Sequence, residues 1–217
     1  VVVDRELERK LAKRAGKDPE AFGKLYDAYF DKILAYSYRR LGEMADAEEA
    51  TSEAFFKALK GIGRFRWRGG GFLPWLYRIA GNEVVNIQRK RVKGKESPLL
   101  GDVPDAVKDE LEESEEKNQG RELLHALVNS MDNLDKHEQE IVVLHYLQGE
   151  NYSLIAEATG IKEGTVRVKA MRALRKLEDR LRKEGWDHGK ARDAGWAAGL
   201  SGKSAGIPGL PETATTV

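Results

Sequence analysis

The chain has 217 residues, room for one large or two small domains, and its 34% of charged residues nearly cancel to a net charge of +1. It contains no Cys, which excludes a disulfide framework, a thiolate nucleophile and a Cys-type zinc site. No apolar run is long enough to span a bilayer, and the opening VVVDRELERKLAKRAG lacks the apolar core of a signal peptide, so a cytoplasmic protein without membrane insertion is expected.

The chain begins at Val1, which suggests a processed, trimmed or alternatively started N-terminus; residues 1–17 read as an N-terminal extension. Asp18-Pro19 is then a strong helix start, an N-cap followed by Pro at the first helical position. From it Phe22, Leu25, Tyr26, Tyr29, Ile33 and Tyr36 recur at three- and four-residue steps, one apolar stripe on a long helix that Gly42 closes. The spacing predicts a second helix over 45–60, with Ala47, Ala50, Ala54, Phe55, Ala58 and Leu59 inward and Asp46, Glu48, Glu49 and Glu53 outward. GIGRFRWRGGGF follows, a glycine-rich loop threaded with Arg64, Phe65, Arg66, Trp67 and Arg68. A third helix over 72–92 is aromatic at its start and basic at its end. These three helices can enclose one small core, over residues 18–93.

Residues 94–119 read as a flexible linker. Its acidic cluster sets Glu96, Asp102, Asp105, Asp109 and five glutamates up to Glu116 against the single Lys108. The near-neutral total therefore conceals two basic surfaces, over 64–93 and 162–183, and one acidic tether. Leu123, Leu127, Met131 and Leu134 restore a helical period, and Asp135 to Glu138 offers a capping-box start. Asn151–Leu177 reads as two helices around a turn: Ala156, Gly160 and Val166 supply the small residue, the residue free to take φ > 0 and the apolar anchor of a helix-turn-helix. The second of these helices presents Thr165, Arg167, Val168, Lys169, Met171 and Arg172 to a major groove. The expected class is therefore all-α, two small helical domains joined by a flexible acidic linker, the second over 120–185. A Gly- and Ala-rich tail over 186–217 reads as disordered, although it carries Trp186 and Trp196.

Four segments in order carry a family resemblance: FGKLYDAYFDKILAYSYRRLG, DAEEATSEAFFKALKGIGRFR, FLPWLYRIAGNEVVNIQRKR, and LDKHEQEIVVLHYLQGENYSLIAEATGIKEGTVRVKAMRALRKL. The chain resembles the extracytoplasmic-function (group four) branch of the bacterial sigma-70 factors, which keeps only regions two and four. The resemblance implies a transcription initiation factor that binds core RNA polymerase, reads duplex −35 DNA and captures single-stranded −10 DNA, with an anti-sigma factor as regulator and no cofactor or metal. It implies polymerase docking through Asp46, Glu48, Glu49, Glu53 and the apolar Phe56. It implies −10 reading and strand opening through the loop and third helix. There Arg64, Arg66, Arg68, Arg78, Arg89 and Lys90 neutralise backbone, while Phe65, Trp67, Phe72 and Asn82 receive an unstacked base. It places the −35 contacts on Arg167, Val168, Lys169, Met171 and Arg172, with Arg167 and Arg172 the leading base readers because Arg suits bidentate contact with guanine. Trp67 and the three consecutive glycines Gly69, Gly70 and Gly71 depart from the commoner loop pattern, and Val168 replaces a small polar residue.

Catalysis finds little support. His125, His137, His145 and His188 are scattered, HEQEI lacks the second His of a zinc-protease helix, and no P-loop or Rossmann fingerprint occurs. Two alternatives remain open: a stand-alone helix-turn-helix regulator, which needs a dimer seam, and a sigma-like decoy that sequesters an anti-sigma partner.

Overall fold

The computed structural model describes residues 4–67, 69–94, 126–183 and 185. The linker, the first residues of the second domain, Arg68 and the 186–217 tail lie outside the described residues.

Helix α2 (Pro19–Leu41) starts where the sequence signals it, with Asp18 Oδ1 accepting from the Glu20 and Ala21 N–H groups at 3.1 and 3.3 Å. It ends at Gly42. Helix α3 (Met44–Gly61) lies against it through Ala47, Ala50, Ala54 and Ala58, all with 0% exposure. This run of small side chains lets two helix axes approach closely while Ile33, Tyr36 and Leu41 fill the space around them. Helix α4 (Phe72–Gly94) completes the three-helix core with Leu76, Tyr77, Ala80 and Val84.

The stretch expected as an extension is a fourth member of this unit. Helix α1 (Arg5–Arg14) buries Leu11, Ala12 and the following Ala15 in the same core. Its end is tied to the start of α2 by Arg14 and Asp18 at 2.6 Å. The signal was present in sequence: positions 8, 11, 12 and 15 fall on one helical face.

In the second unit, residues 126–130 are helical and lead through a 3-10 turn (Met131–Asn133) to α5 (Lys136–Val142). The capping box at its start is complete. Asp135 Oδ1 accepts from Glu138 N–H at 2.8 Å, and Glu138 Oε2 accepts from Asp135 N–H at 3.0 Å. Instead of running on evenly, α5 widens into a π-helical turn (Val143–Leu147), closed by Gln148 N–H donating to Val143 O at 2.9 Å. Helices α6 (Tyr152–Thr159) and α7 (Glu163–Lys183) follow. Leu127, Ile141, Leu144, Ile155, Val166, Ala170, Ala173 and Leu177 are buried between them. Each fully buried Leu or Ile contributes roughly 1.5–3 kcal/mol.

The two units share one hydrophobic core. Glu150, 8% exposed, receives Lys32 Nζ at 2.8 Å and the Tyr77 hydroxyl at 3.2 Å, both from the first unit. Burial first, and then the Glu150 charge, pushes the Tyr77 hydroxyl well above its ordinary pKa, so it stays a donor. Arg40 Nη1 donates to Tyr36 at 3.1 Å and its Nη2 to Gln139 at 3.4 Å. Reading the units as separate modules on a tether omitted this contact, whose members lie far apart in the chain.

Candidate nucleic-acid interface

The helix-turn-helix is built from local rules. Asn151 Oδ1 accepts from Leu154 N–H at 2.9 Å to start α6. Gly160, at φ 74°, closes it with its N–H on Ala156 O, a conformation that side-chain-bearing residues rarely adopt. Lys162 O then accepts from Thr165 and Val166 N–H at 2.8 and 3.0 Å, and Val166 anchors α7 at 0% exposure.

The outward face of α7 is open. Val168 and Met171 are 47% and 50% exposed, an unusual pair of bare apolar side chains, and Thr165 and Arg172 beside them are exposed too. No ion pair engages Arg172 among the described residues. Arg167 is also exposed but oriented, with Glu163 at 2.6 Å and its guanidinium 4.8 Å from the Tyr152 ring centroid. Lys169 is half-buried and held at 2.8 Å by Asp135. Tyr152 is in turn stacked on His145 at 4.0 Å, and His145 Nδ1 lies 2.9 Å from Glu150 O. The π-turn supports the ring under Arg167 through this stack.

The face built from the glycine-rich loop and α4 is different. Arg64, Arg66, Asn82 and Arg89 are exposed, and Phe65 and Trp67 are half-buried. Phe72 is not at the surface: at 0% exposure it packs 5.9 Å from Tyr29, 5.8 Å from Phe65 and 5.5 Å from Trp75. It therefore supports the loop rather than meeting a base, which corrects its expected place among the strand-reading residues. The wide aromatic side chain at the first turn of α4 is needed to fill the gap beneath the loop. Trp75, half-buried 4.9 Å from Phe65, belongs to the same cluster.

This face is also in use within the chain. Arg78 donates to Ala158 O at 3.0 Å and to Glu157 O, the carbonyl end of α6, where the helix dipole is negative. Glu157 Oε2 accepts from Gly70 N–H at 2.7 Å. Lys90 is paired with Glu49 at 2.8 Å, an interaction that raises its pKa. Sequence reasoning missed Glu157, Glu150 and Glu8. Glu8 alone left a trace, as a carboxylate on the apolar face of α1.

On α3 the expected acidic docking residues divide. Asp46 is paired with Arg91, Glu49 with Lys90, and Glu53 with Lys57 at 3.3 Å, while Lys57 also reaches Glu83 at 2.6 Å. Glu48 is exposed, and no ion pair engages it among the described residues. Phe56 is 49% exposed with Lys60 Nζ 3.8 Å from its ring centroid, and Leu59 next to it is 47% exposed. Among the described residues this face therefore combines two exposed apolar side chains with one carboxylate that no ion pair engages and three that are paired.

Comparison with known proteins finds two matched regions. Residues 25–93 match sigma-70 region 2 and residues 124–177 match sigma-70 region 4. The chain is 36% identical over 170 residues to the ECF RNA polymerase sigma factor BldN of Streptomyces coelicolor, across 77% of this chain and 63% of that one. It thus spans somewhat under two thirds of that relative's length. It is 30% identical over 186 residues to the ECF RNA polymerase sigma factor SigW of Bacillus subtilis, across 80% of this chain and 96% of that one. The solved structure of CnrH in complex with the cytosolic domain of CnrY shares the fold with a TM-score of 0.60 at 23% identity, covering 82% of this chain and 98% of that one.

Proposed function

We infer function from one premise: this chain belongs to the sigma-70 family, in its extracytoplasmic-function branch. It binds core RNA polymerase and directs it to promoters, reading duplex −35 DNA with α7 and capturing the −10 strand with the glycine-rich loop and α4. The observation that carries this reading is the helix-turn-helix with an exposed outer face, following in one chain a basic, aromatic loop on the other helical unit.

Arg172 and Arg167 supply the base contacts, and Val168 and Met171 the apolar contact that a thymine methyl accepts. Arg64 and Arg66 neutralise the strand, and Phe65 and Trp67 offer stacking worth roughly 1–3 kcal/mol per base, comparable to the cost of unstacking one. Capture by Arg78 requires its donors to leave the α6 carbonyls, so the closed arrangement of the two units must open for the −10 face to be used. The bond-making chemistry belongs to the polymerase, and this chain acts by binding and positioning. Phe56, Leu59 and Glu48 form the docking surface for core polymerase, and an anti-sigma partner competes for the same face. The setting is the cytoplasm; among the described residues no helix is long and apolar enough to cross a membrane.

The test is initiation on a supercoiled template pool with chain alone, core alone and both together. Promoter-selective initiation only with both components supports the reading. DNA binding by the chain without core-dependent initiation points to a stand-alone regulator or a decoy.

A further inference from the structure

Helix α1 lies outside the residues that match sigma-70 region 2, yet it is built into the −10 face. Its inner side is fixed: Leu11 and Ala12 are 5% exposed, and Glu8 is 6% exposed with Oε1 accepting from Phe72 N–H at 2.9 Å. That N–H is one of the orphan donors at the start of α4, where a carboxylate is doubly favourable. Gly71, at φ 87°, allows the closure. A Cβ there would lie 2.9 Å from Glu8 Oε2 and 3.2 Å from the Trp67 ring. α1 and the loop are thereby held as one body.

The outer side of α1 is a cationic stripe. Arg5, Arg9 and Lys13 stand at four-residue steps, a rise of about 6 Å each, on the scale of successive phosphates along an extended strand. All three are exposed, and no ion pair engages them among the described residues. Lys10 is neutralised by Glu6 at 3.0 Å. Arg5, Arg9 and Lys13 line a groove together with Trp67, which is half-buried and edge-on to Phe65 at 6.4 Å; Asp4, Glu6 and Lys10 complete the lining. Free cations beside an accessible indole are the chemistry of a single-stranded nucleic acid, with phosphates meeting the charges and a base stacking on the ring. A duplex would offer phosphates but no free base face to Trp67.

We propose that α1 is a second strand-binding element, with Arg5, Arg9 and Lys13 tracking the backbone of single-stranded DNA that continues from the −10 contact across Trp67. This rests on the −10 reading given above and extends it to residues that the family match does not cover.

The test uses the full chain assembled with core RNA polymerase and a labelled single-stranded oligonucleotide that extends beyond the −10 element on both sides, titrated by anisotropy over a range of salt. Replacing Arg5, Arg9 and Lys13 together by Gln should flatten the log K against log salt slope by about 2, at ~0.7 per phosphate lost, and weaken binding tenfold or more at low salt. Lys13→Gln alone, a gentler change should the triple variant fold poorly, should flatten the slope by about 0.7. Unchanged slopes in both variants overturn the proposal. Weaker core binding with an unchanged slope makes the stripe a protein contact and overturns it equally. A wild-type assembly that neither binds the oligonucleotide nor opens a promoter overturns the −10 reading and this inference together.

Discussion

The surfaces proposed to read the −35 and −10 elements are built in opposite ways. On α7 the proposed reading residues project from a helix whose inner face is anchored by Val166, Ala170, Ala173 and Leu177; among the described residues no ion pair engages Arg172, and Val168 and Met171 are about half exposed. On the loop and α4, Arg78, Gly70 and Lys90 are already bonded within the chain. Duplex DNA can meet a finished surface, because its base edges are displayed in the groove before binding. A melted strand has to be created, so a surface that stays engaged until its partner assembles is compatible with capture late in the process.

Cutting the tie between the units should have the largest effect. Glu150→Ala removes the acceptor of both Lys32 and the buried Tyr77 hydroxyl, and should cost about 3 kcal/mol in denaturant unfolding, the low end for a broken buried pair because Lys32 remains half-hydrated. A change below 0.5 kcal/mol would show that the units do not rely on this contact. Next, Arg172→Ala should leave stability unchanged and cost about 2 kcal/mol at one −35 base pair, read as relaxed selectivity at that position. A uniform loss over all promoters would make Arg172 a phosphate contact instead.

Asp135→Ala removes the cap of α5 and the partner of Lys169, and should cost about 1 kcal/mol at neutral pH. Partial burial raises the Asp135 pKa, but the Lys169 ammonium and the Glu138 N–H outweigh it, so the folded value lies below the ordinary 3.8. Its contribution is therefore present above pH 3.8 and is lost as pH falls through the lowered folded value. Stability curves of wild type and Asp135→Ala should converge in acid, and parallel curves would refute the assignment. The smallest stability effect belongs to Glu48→Lys, within about 0.5 kcal/mol because no pair is broken, yet it should slow association with core polymerase measurably. Reversing Asp46 and Glu49 is a less clean test, since both are paired to α4.

What the sequence disclosed follows the range of the interaction. Asp18, the capping box at Asp135, Asn151 and Gly160 act on backbone within four residues, and each was legible as a start or stop. The apolar stripes of α2 and α3 were legible for the same reason, with two corrections at their edges. Leu59, expected inward, is 47% exposed, and Tyr26 is 37% exposed, because each lies on the flank of its helix, where the described residues leave it partly uncovered. The engagement of the loop and α4 face was hidden because Glu157 and Gly70 are 87 positions apart, and nothing near either announces the other. The π-turn left no mark in a period of three and four residues. Phe72 was misplaced because an aromatic residue beside an Arg-rich loop reads equally as a base platform or as the plug beneath it, and only packing decides.

The central claim is that one chain directs polymerase by two separate readings of DNA. It is tested most directly by selection from a promoter library randomised over both elements, transcribed by core polymerase with wild-type chain or with Arg172→Ala. The account predicts two separated sequence blocks that need core for enrichment, with only the upstream block relaxed by Arg172→Ala. A single block enriched without core, or equal relaxation of both, would contradict it.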